Sequence, residues 1–274
     1  MIRILSKGMI TQHIIPELSK ARRGYVSRVP LWEIVNAILY KFKTGVQWHL
    51  LPCKSLISSN QVKYGAIYHH YRKWARDGSW ERAWIRLLQA HKHELDLSIV
   101  ALDGTHTPVK RGGNQSGYQG RKKTTTSNTI WICDRQGKVV GFLPPVAGNH
   151  NDLYLLKERF EEQVLQWKKS GIEAEGLFLN ADAGFDSQDF RLTCFKHGIQ
   201  LNSPVNTRNN RALEEPDYYF DELMYEERYV IERTNAWMDS WRSFLNRFDK
   251  TLTSWKAWHY IYALCSWCKY LQKV

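Results

Sequence analysis

Two apolar runs in this sequence end on an aspartate. Ile99 to Leu102 leads into Asp103, and Gly176-Leu-Phe-Leu-Asn-Ala leads into Asp182. A buried strand that delivers a carboxylate at its end is a common way to hold a reactive or metal-binding group on a rigid element. Strand-terminal Asp is also an ordinary turn residue, so each run alone says little. Two ionised carboxylates brought within a few ångströms repel, and one pKa must rise unless a cation joins them. Oxygen ligands with no cysteine in the set favour Mg²⁺ or Mn²⁺ over zinc. Two such ions about 4 Å apart would activate an attacking oxygen and stabilise the leaving oxygen of a phosphodiester. A third acid is expected from a late helix, and Glu232 is the candidate for this triad of catalytic and metal-binding residues.

The elements that must position these acids follow from periodicity. Between residues 98 and 202 we expect strands at 99–103, 126–133 and 138–143, with Asp134-Arg-Gln-Gly137 as a hairpin turn. A helix at about 153–169 follows, with Asn151 or Asp152 as its N-cap, then a strand at 176–182, a helix at 186–197 and a strand at 198–202. Three strands in a meander followed by crossovers is the order of a ribonuclease-H-like fold, a mixed α/β sheet with flanking helices. There the first and fourth strands can be neighbours, bringing Asp103 and Asp182 to one end. Residues 111–125 read as a Gly-rich basic loop whose Arg121, Lys122 and Lys123 offer charge to phosphate. No GKS or GKT follows, which excludes a nucleotide-binding P-loop. One long helix is expected from Tyr225 or Tyr229 to Phe248, and a last one over 254–271.

The N-terminal third reads differently. The chain of 274 residues carries a net charge of +12. Residues 1–97 hold 16 Lys and Arg against 6 Asp and Glu, whereas the remainder holds 23 against 21. Helices are expected at 31–43, at about 61–75 with Ser58, Ser59 or Asn60 as N-cap, and at 80–93. Lys63, Arg72, Lys73 and Arg76 lie on the second of these. Three short helices with a basic member fit a helix-turn-helix-like DNA-binding domain over 1–97, followed by a domain over 98–274; a helical bundle with a solvated basic face is the alternative. Lys20 to Gly24 reads as a basic turn, and Asn206 to Glu215 as an exposed polar stretch. Five cysteines at irregular spacing imply no disulfide framework, and Cys265-Ser-Trp-Cys268 reads as packing in an apolar helix. His91 and His93 have no third ligand at metal-site spacing. Apolar runs are too short for a membrane span, so we expect a reduced, cytoplasmic, nucleoid-associated setting.

Several motifs together resemble a known family. Tyr225-x2-Arg228-x3-Glu232, continuing through Val230 to Trp237, is similar to the signature around the third acid of DDE transposases of bacterial insertion sequences. Val100 to Thr105, Gly117 to Lys123 and Asn180 to Asp186 resemble the same family, in the branch of insertion sequences four and five. The resemblance implies the triad Asp103, Asp182 and Glu232, a Mg²⁺ or Mn²⁺ cofactor, and double-stranded DNA as partner, both terminal inverted repeats and target. It implies roles in DNA contact for Tyr225 and Arg228, and action as a homodimer or higher oligomer. The signature lysine falls on Asp239 here; Arg233 or Arg242 is the candidate replacement. Trp131 or Trp237 would stack on a displaced base, or pack in the core. Tyr225, Arg228, Glu232 and Asp239 share a helix face opposite the apolar stripe, which suits a cleft edge and a solvated face equally. A non-catalytic DNA-binding relative and a nuclease without strand transfer remain alternatives.

Overall fold

The structure is a computed structural model that describes residues 2–20, 27, 29–59, 61–206 and 219–272. The expected basic turn at 20–24 and the polar stretch at 206–215 fall almost wholly outside the described residues, as does the cap candidate Asn60. The chain forms two compact units: Met1–Leu87 with Lys110–Asn114 and Met238–Val274, and Leu88–Val109 with Gln115–Trp237. A boundary at 97/98 therefore does not describe compactness, because the C-terminal residues pack in the first unit.

That first unit is helical. Helices α1 (Leu31–Thr44), α2 (Tyr64–Arg76) and α3 (Ser79–His91) appear within two or three residues of their expected limits. Gly45, at φ 70, ends α1 as a left-handed cap. The expected serine caps of α2 are not used; Lys63 stands there without a side-chain bond. The core is aromatic: Trp258 stacks on Phe42 at 5.0 Å and on Tyr71 at 4.2 Å, and Trp241 meets Phe42 at 4.8 Å. The last helix of the chain, over Leu252–Leu271, is buried nearly all round, which explains why it carries no polar face. Cys265 and Cys268 are buried free thiols within it, and burial pushes both upward in pKa.

Burial has a consequence at His259 in that helix. Its ring lies edge-on to Phe244 and its Nδ1 is 2.9 Å from the Trp255 carbonyl oxygen. Burial lowers its pKa from the ordinary 6.5 to about 3, with Arg247 and Lys256 adding to the fall and the Trp255 carbonyl opposing it. The unfolded chain therefore takes up a proton that the fold refuses. The stabilisation is whole above pH 6.5 and is lost as pH falls toward 3, by up to ~1.4 kcal/mol per pH unit. In urea titrations at pH 7, 6 and 5, His259→Gln is expected to gain steadily on the parent protein. A parallel pH dependence for both would show that His259 is not the source.

The second unit is built on a mixed sheet. Its strands are β1 (Val100–Pro108), β2 (Gly117–Gln119), β3 (Thr124–Asp134), β4 (Val139–Phe142), β5 (Val146–Ala147), β6 (Phe178–Asn180) and β7 (Gln200–Asn202). The order is β2-β3-β1-β6-β7, with β4 and β5 also pairing along β3. β1 pairs antiparallel with β3, while β1–β6 and β6–β7 are parallel. This is the expected ribonuclease-H-like arrangement. β2 and β5 were not foreseen; the Gly-rich segment donates a short edge strand at Gly117–Gln119. Helix α4 (Leu156–Lys169) covers β4: Trp167 Nε1 donates to the Val140 carbonyl at 2.8 Å, and the Phe142 amide donates to Gln163 Oε1 at 3.0 Å. Helix α5 (Gln188–Lys196) is capped by Ser187 and meets α4 through Phe190 and Phe160.

The long helix expected to reach Phe248 is broken. It forms α6 (Glu222–Glu226), α7 (Tyr229–Asp239) and a turn of helix, α8 (Arg242–Leu245), before α9, the Leu252–Leu271 helix. The apolar stripe runs across these breaks, but its members do not share one environment. Val230, Trp241 and Phe244 are buried, whereas Trp237 and Phe248 are 53% and 55% exposed.

Candidate active site

Asp103 lies in the middle of β1, not at its end as expected. β1 continues beside β3 as far as Pro108, but its parallel pairing with β6 stops at Ala101. The acid therefore stands two residues past the end of the parallel edge. Asp182 follows β6 by two residues, and its side chain accepts from the Gly184 amide at 2.8 Å. Ser203 Oγ, just beyond β7, donates to the Asp182 carbonyl at 2.9 Å. Two parallel strands thus present the two aspartates at the same end of the sheet.

A buried amide ladder anchors α6, the short helix that precedes the one carrying the third acid. Asn202 Nδ2 donates to Asn180 Oδ1 at 2.9 Å, and Asn180 Nδ2 donates to the Met224 carbonyl at 2.7 Å. The Asp221 amide donates to Asn202 Oδ1, and the Asp221 side chain caps α6. Both asparagines are fully buried, so each bond replaces water that cannot enter. On the far side, Thr234 Oγ1 and Arg233 Nη2 donate to the carbonyls of Gly137 and Gln136 in the β3–β4 turn. Arg233 thus bonds the β3–β4 turn while lying near the rings of Tyr229 and Trp237. Arg242 is exposed in the other unit, and Asp239 is exposed at the end of α7.

Arg228 connects the acids. Its Nη2 donates to Glu232 Oε1 at 2.9 Å, and its Nη1 lies 4.0 Å from Asp103 Oδ1. Asn235, one turn on, donates to Asp103 Oδ2 at 3.0 Å. The Tyr225 ring lies 5.7 Å from the Arg228 guanidinium. Burial lifts the Asp103 carboxyl from 3.8 to about 6; Arg228 opposes the rise, while Asp182 and Asp152 reinforce it. Glu232 remains 62% exposed in its side chain. Among the described residues, no three His, Cys, Asp or Glu side chains are arranged to hold a metal. Arg228 is the cation that faces both Asp103 and Glu232.

Asp152 was not foreseen here. It does not cap α4, whose N-cap is Leu155 in a left-handed conformation with no side-chain bond. Instead, its Oδ1 accepts from the buried Asn128 Nδ2 at 2.6 Å and lies where a Cβ on Gly104 would sit, 2.5 Å away. Only a glycine beside Asp103 admits it, which is a sequence signal for close approach in retrospect. His106 on β1 feels the same carboxylate: burial lowers its pKa, Asp152 raises it, and Lys122 and Arg121 lower it further. Arg121, Lys122 and Lys123 are exposed on the turn between β2 and β3. Trp131 is 1% exposed, so it packs in the core and stacks on no base, while Trp237 stands out from α7. Lys63 and Arg76 are exposed at the two ends of α2 in the helical unit, with Arg72 and Lys73 half-buried between them; Lys73 Nζ donates to the Ser19 carbonyl.

A family model described as "Transposase DDE domain" matches residues 94–268. The chain belongs to the DDE transposases. Residues 9–84 match a second model, described as "Putative transposase of IS4/5 family". The chemistry of DDE transposases is DNA cleavage and strand transfer, and the chain is an enzyme of that class. No curated protein matches the sequence. Among solved structures, a Mos1 transposase paired-end complex with left transposon end is 13% identical, with 92% of this chain and 82% of that chain covered at a TM-score of 0.29. A Mos1 mariner paired-end complex with Mn is 12% identical, with 93% and 83% covered at 0.30. Among the described residues of this DDE transposase, no helix is long and apolar enough to cross a membrane.

Proposed function

We propose that the chain cuts at the terminal inverted repeats of an insertion sequence and joins the freed end to target DNA, using Asp103, Asp182 and Glu232. The observation that supports this is that β1 and β6 present Asp103 and Asp182 at one end of the sheet while Arg228 reaches both Asp103 and Glu232. An all-oxygen acidic set of that kind fits a hard divalent cation, Mg²⁺ or Mn²⁺. Asp103, Asp182 and Glu232 would hold it, and bound there it would supply positive charge against the attacking and leaving oxygens.

The chain's own groups have separate tasks. Asn235 fixes the orientation of the Asp103 carboxylate. Arg228, already between two acids, is free to exchange one of them for a phosphate oxygen, since its planar fork binds either bidentately. Tyr225 packs beside that guanidinium and would border the strand. Arg121, Lys122 and Lys123 on their exposed turn, with Lys63, Arg72, Lys73 and Arg76 on α2, would hold the duplex backbone. On this reading residues 1–97 bind DNA, residues 98–274 carry the chemistry, and the working form on DNA is a homodimer or larger.

A strand-transfer assay with terminal-repeat duplex, with and without Mg²⁺, tests the proposal. Joined product that requires the metal is the expected result. Cutting without joining would make the protein a nuclease, and binding alone would make it a DNA-binding relative. Gly104→Ala should separate site geometry from stability. Its added Cβ must displace Asp152, and a displacement of about 1 Å near reacting groups costs on the order of 10²-fold in rate. We expect such a loss in cleavage with a melting temperature within a few degrees of the parent; unchanged cleavage would remove Asp152 from the site.

A further inference from the structure

The helical unit holds a cavity of about 640 Å³ whose wall is both aromatic and cationic. Tyr64, Tyr68 and Arg72 recur every four residues on α2 and so share one helix face, and all three line it. Trp48, Arg111 and Phe248 line it from other segments of the same unit. Tyr64 and Phe248 leave 43% and 55% of their surface exposed at this cavity, although the core beside it is dense with buried rings. Arg72 lies 5.7 Å from the Tyr68 ring. The acid in the wall, Asp249, accepts from Trp258 Nε1 and faces Lys41 and Arg247 electrostatically, so its charge is answered from within the fold. Arg72, Arg111 and Lys250 leave the mouth positive. Tyr68 and Arg72 also border a second cavity of about 620 Å³ on the other flank of α2, lined by His69, Lys73 and Arg76.

Exposed ring faces beside cations are what an unstacked base and its phosphate need. The rings replace the stacking lost on leaving a duplex, and the cations hold the backbone without regard to sequence. The volume lies within the range of small-ligand sites. We propose that this cavity binds an unpaired nucleotide of DNA, with its base against Tyr64 and Phe248 and its phosphates on Arg72 and Arg111. The inference rests on the reading that this unit grips DNA, and it adds a site for one nucleotide outside the acidic centre.

The test uses the full chain and three fluorescein-labelled DNAs: a paired duplex, the same duplex with one bulged thymidine, and single-stranded dT12. The protein is expected to bind the bulged duplex or dT12 about tenfold or more tightly than the paired duplex. Preference for the bulge assigns the nucleotide to an extruded base, and preference for dT12 alone assigns it to a strand end. The double variant Tyr64→Ala, Phe248→Ala should lose that preference and bind paired duplex within about twofold of the parent. Both rings are surface-exposed, so folding should persist, and a matching melting temperature checks it. Arg111→Ala should flatten the salt dependence for the preferred unpaired substrate by about one phosphate contact and leave that of the paired duplex as it was. Equal affinity for the three DNAs, or a preference that survives loss of both rings, overturns the proposal. So does an equal loss on all three. A chain that binds paired duplex without preference sinks only this inference, whereas one that binds none of the DNAs sinks the DNA-binding reading as well.

Discussion

Asp103→Asn is expected to abolish strand cleavage and joining while leaving duplex binding within about twofold. The amide has the shape of the carboxylate and can still accept from Asn235 Nδ2, so the local geometry persists. What disappears is the charge. A group of fixed position and altered charge at a reacting centre costs at least on the order of 10²–10³-fold in rate. Binding should survive because the basic residues assigned to the duplex lie on the β2–β3 turn and on α2. Stability should not fall. Burial holds the folded pKa near 6, above the unfolded value near 3.9, so the ionised carboxylate at pH 7 opposes folding and its removal should raise the melting temperature slightly. Cleavage within tenfold of the parent, measured on terminal-repeat DNA, would sink the role of Asp103 and with it the triad.

The rule that found Asp103 and Asp182 was a simple one, an apolar run closing on an acid. The two acids come to one end of the sheet because β1 and β6 are buried and parallel where they meet. The rule misplaced the end of β1 because a strand can stop pairing on one edge and continue on the other. Thr105 to Pro108 pair with β3 alone, and their mixed burial gives no apolar run to read. Asp152 was illegible for a related reason. Asn149 to Asp152 has the composition of a helix cap, and local preference says nothing about a contact with Gly104, 48 positions back. The signal that existed was the glycine itself, which reads as freedom at a turn but serves close approach inside a strand.

The C-terminal third shows the limit of periodicity more sharply. A 3.6-residue stripe from Val230 to Phe248 predicts one continuous helix, yet the chain passes from the sheet unit to the helical unit near Met238. Trp241 and Phe244 bury against Phe42, in a different core from Val230 and Ile231. A stripe records that residues are buried, not what they are buried against. Phe42 and Tyr71 likewise find Trp241 and Trp258 far downstream, contacts that no local pattern records. By contrast α9 was legible, because a segment with apolar residues on every side can only be an interior helix.

Those long-range contacts make Asp249 a position where loss of the side chain should lower stability measurably. Its carboxylate accepts from Trp258 Nε1 at 3.1 Å and answers two covered cations, Lys41 and Arg247. Lys41 Nζ is held by Ser243 Oγ at 3.0 Å and lies 4.9 Å from the Trp258 ring; burial lowers its pKa. Arg247 is fully buried, donates to the Asn114 carbonyl at 2.7 Å, and is lowered by burial to about 10. Asp249→Ala strands both cations in a poor solvent for charge. Burial raises the Asp249 carboxyl's own pKa, so the charge is partly unfavourable where it stands, and the lost indole bond and the stranded cations together are expected to cost roughly 1–3 kcal/mol. At about 2–4 °C per kcal/mol for a chain of this size class, the melting temperature should fall by roughly 5 °C. Asp249→Asn, which keeps an acceptor for the indole but not the charge, should fall in between. The combination Lys41→Met with Asp249→Leu should recover part of the loss, because Lys41 then needs no countercharge while Arg247 still lacks one. Additive losses in that double variant would show that the two residues matter separately, and that charge pairing across this core is not what holds it.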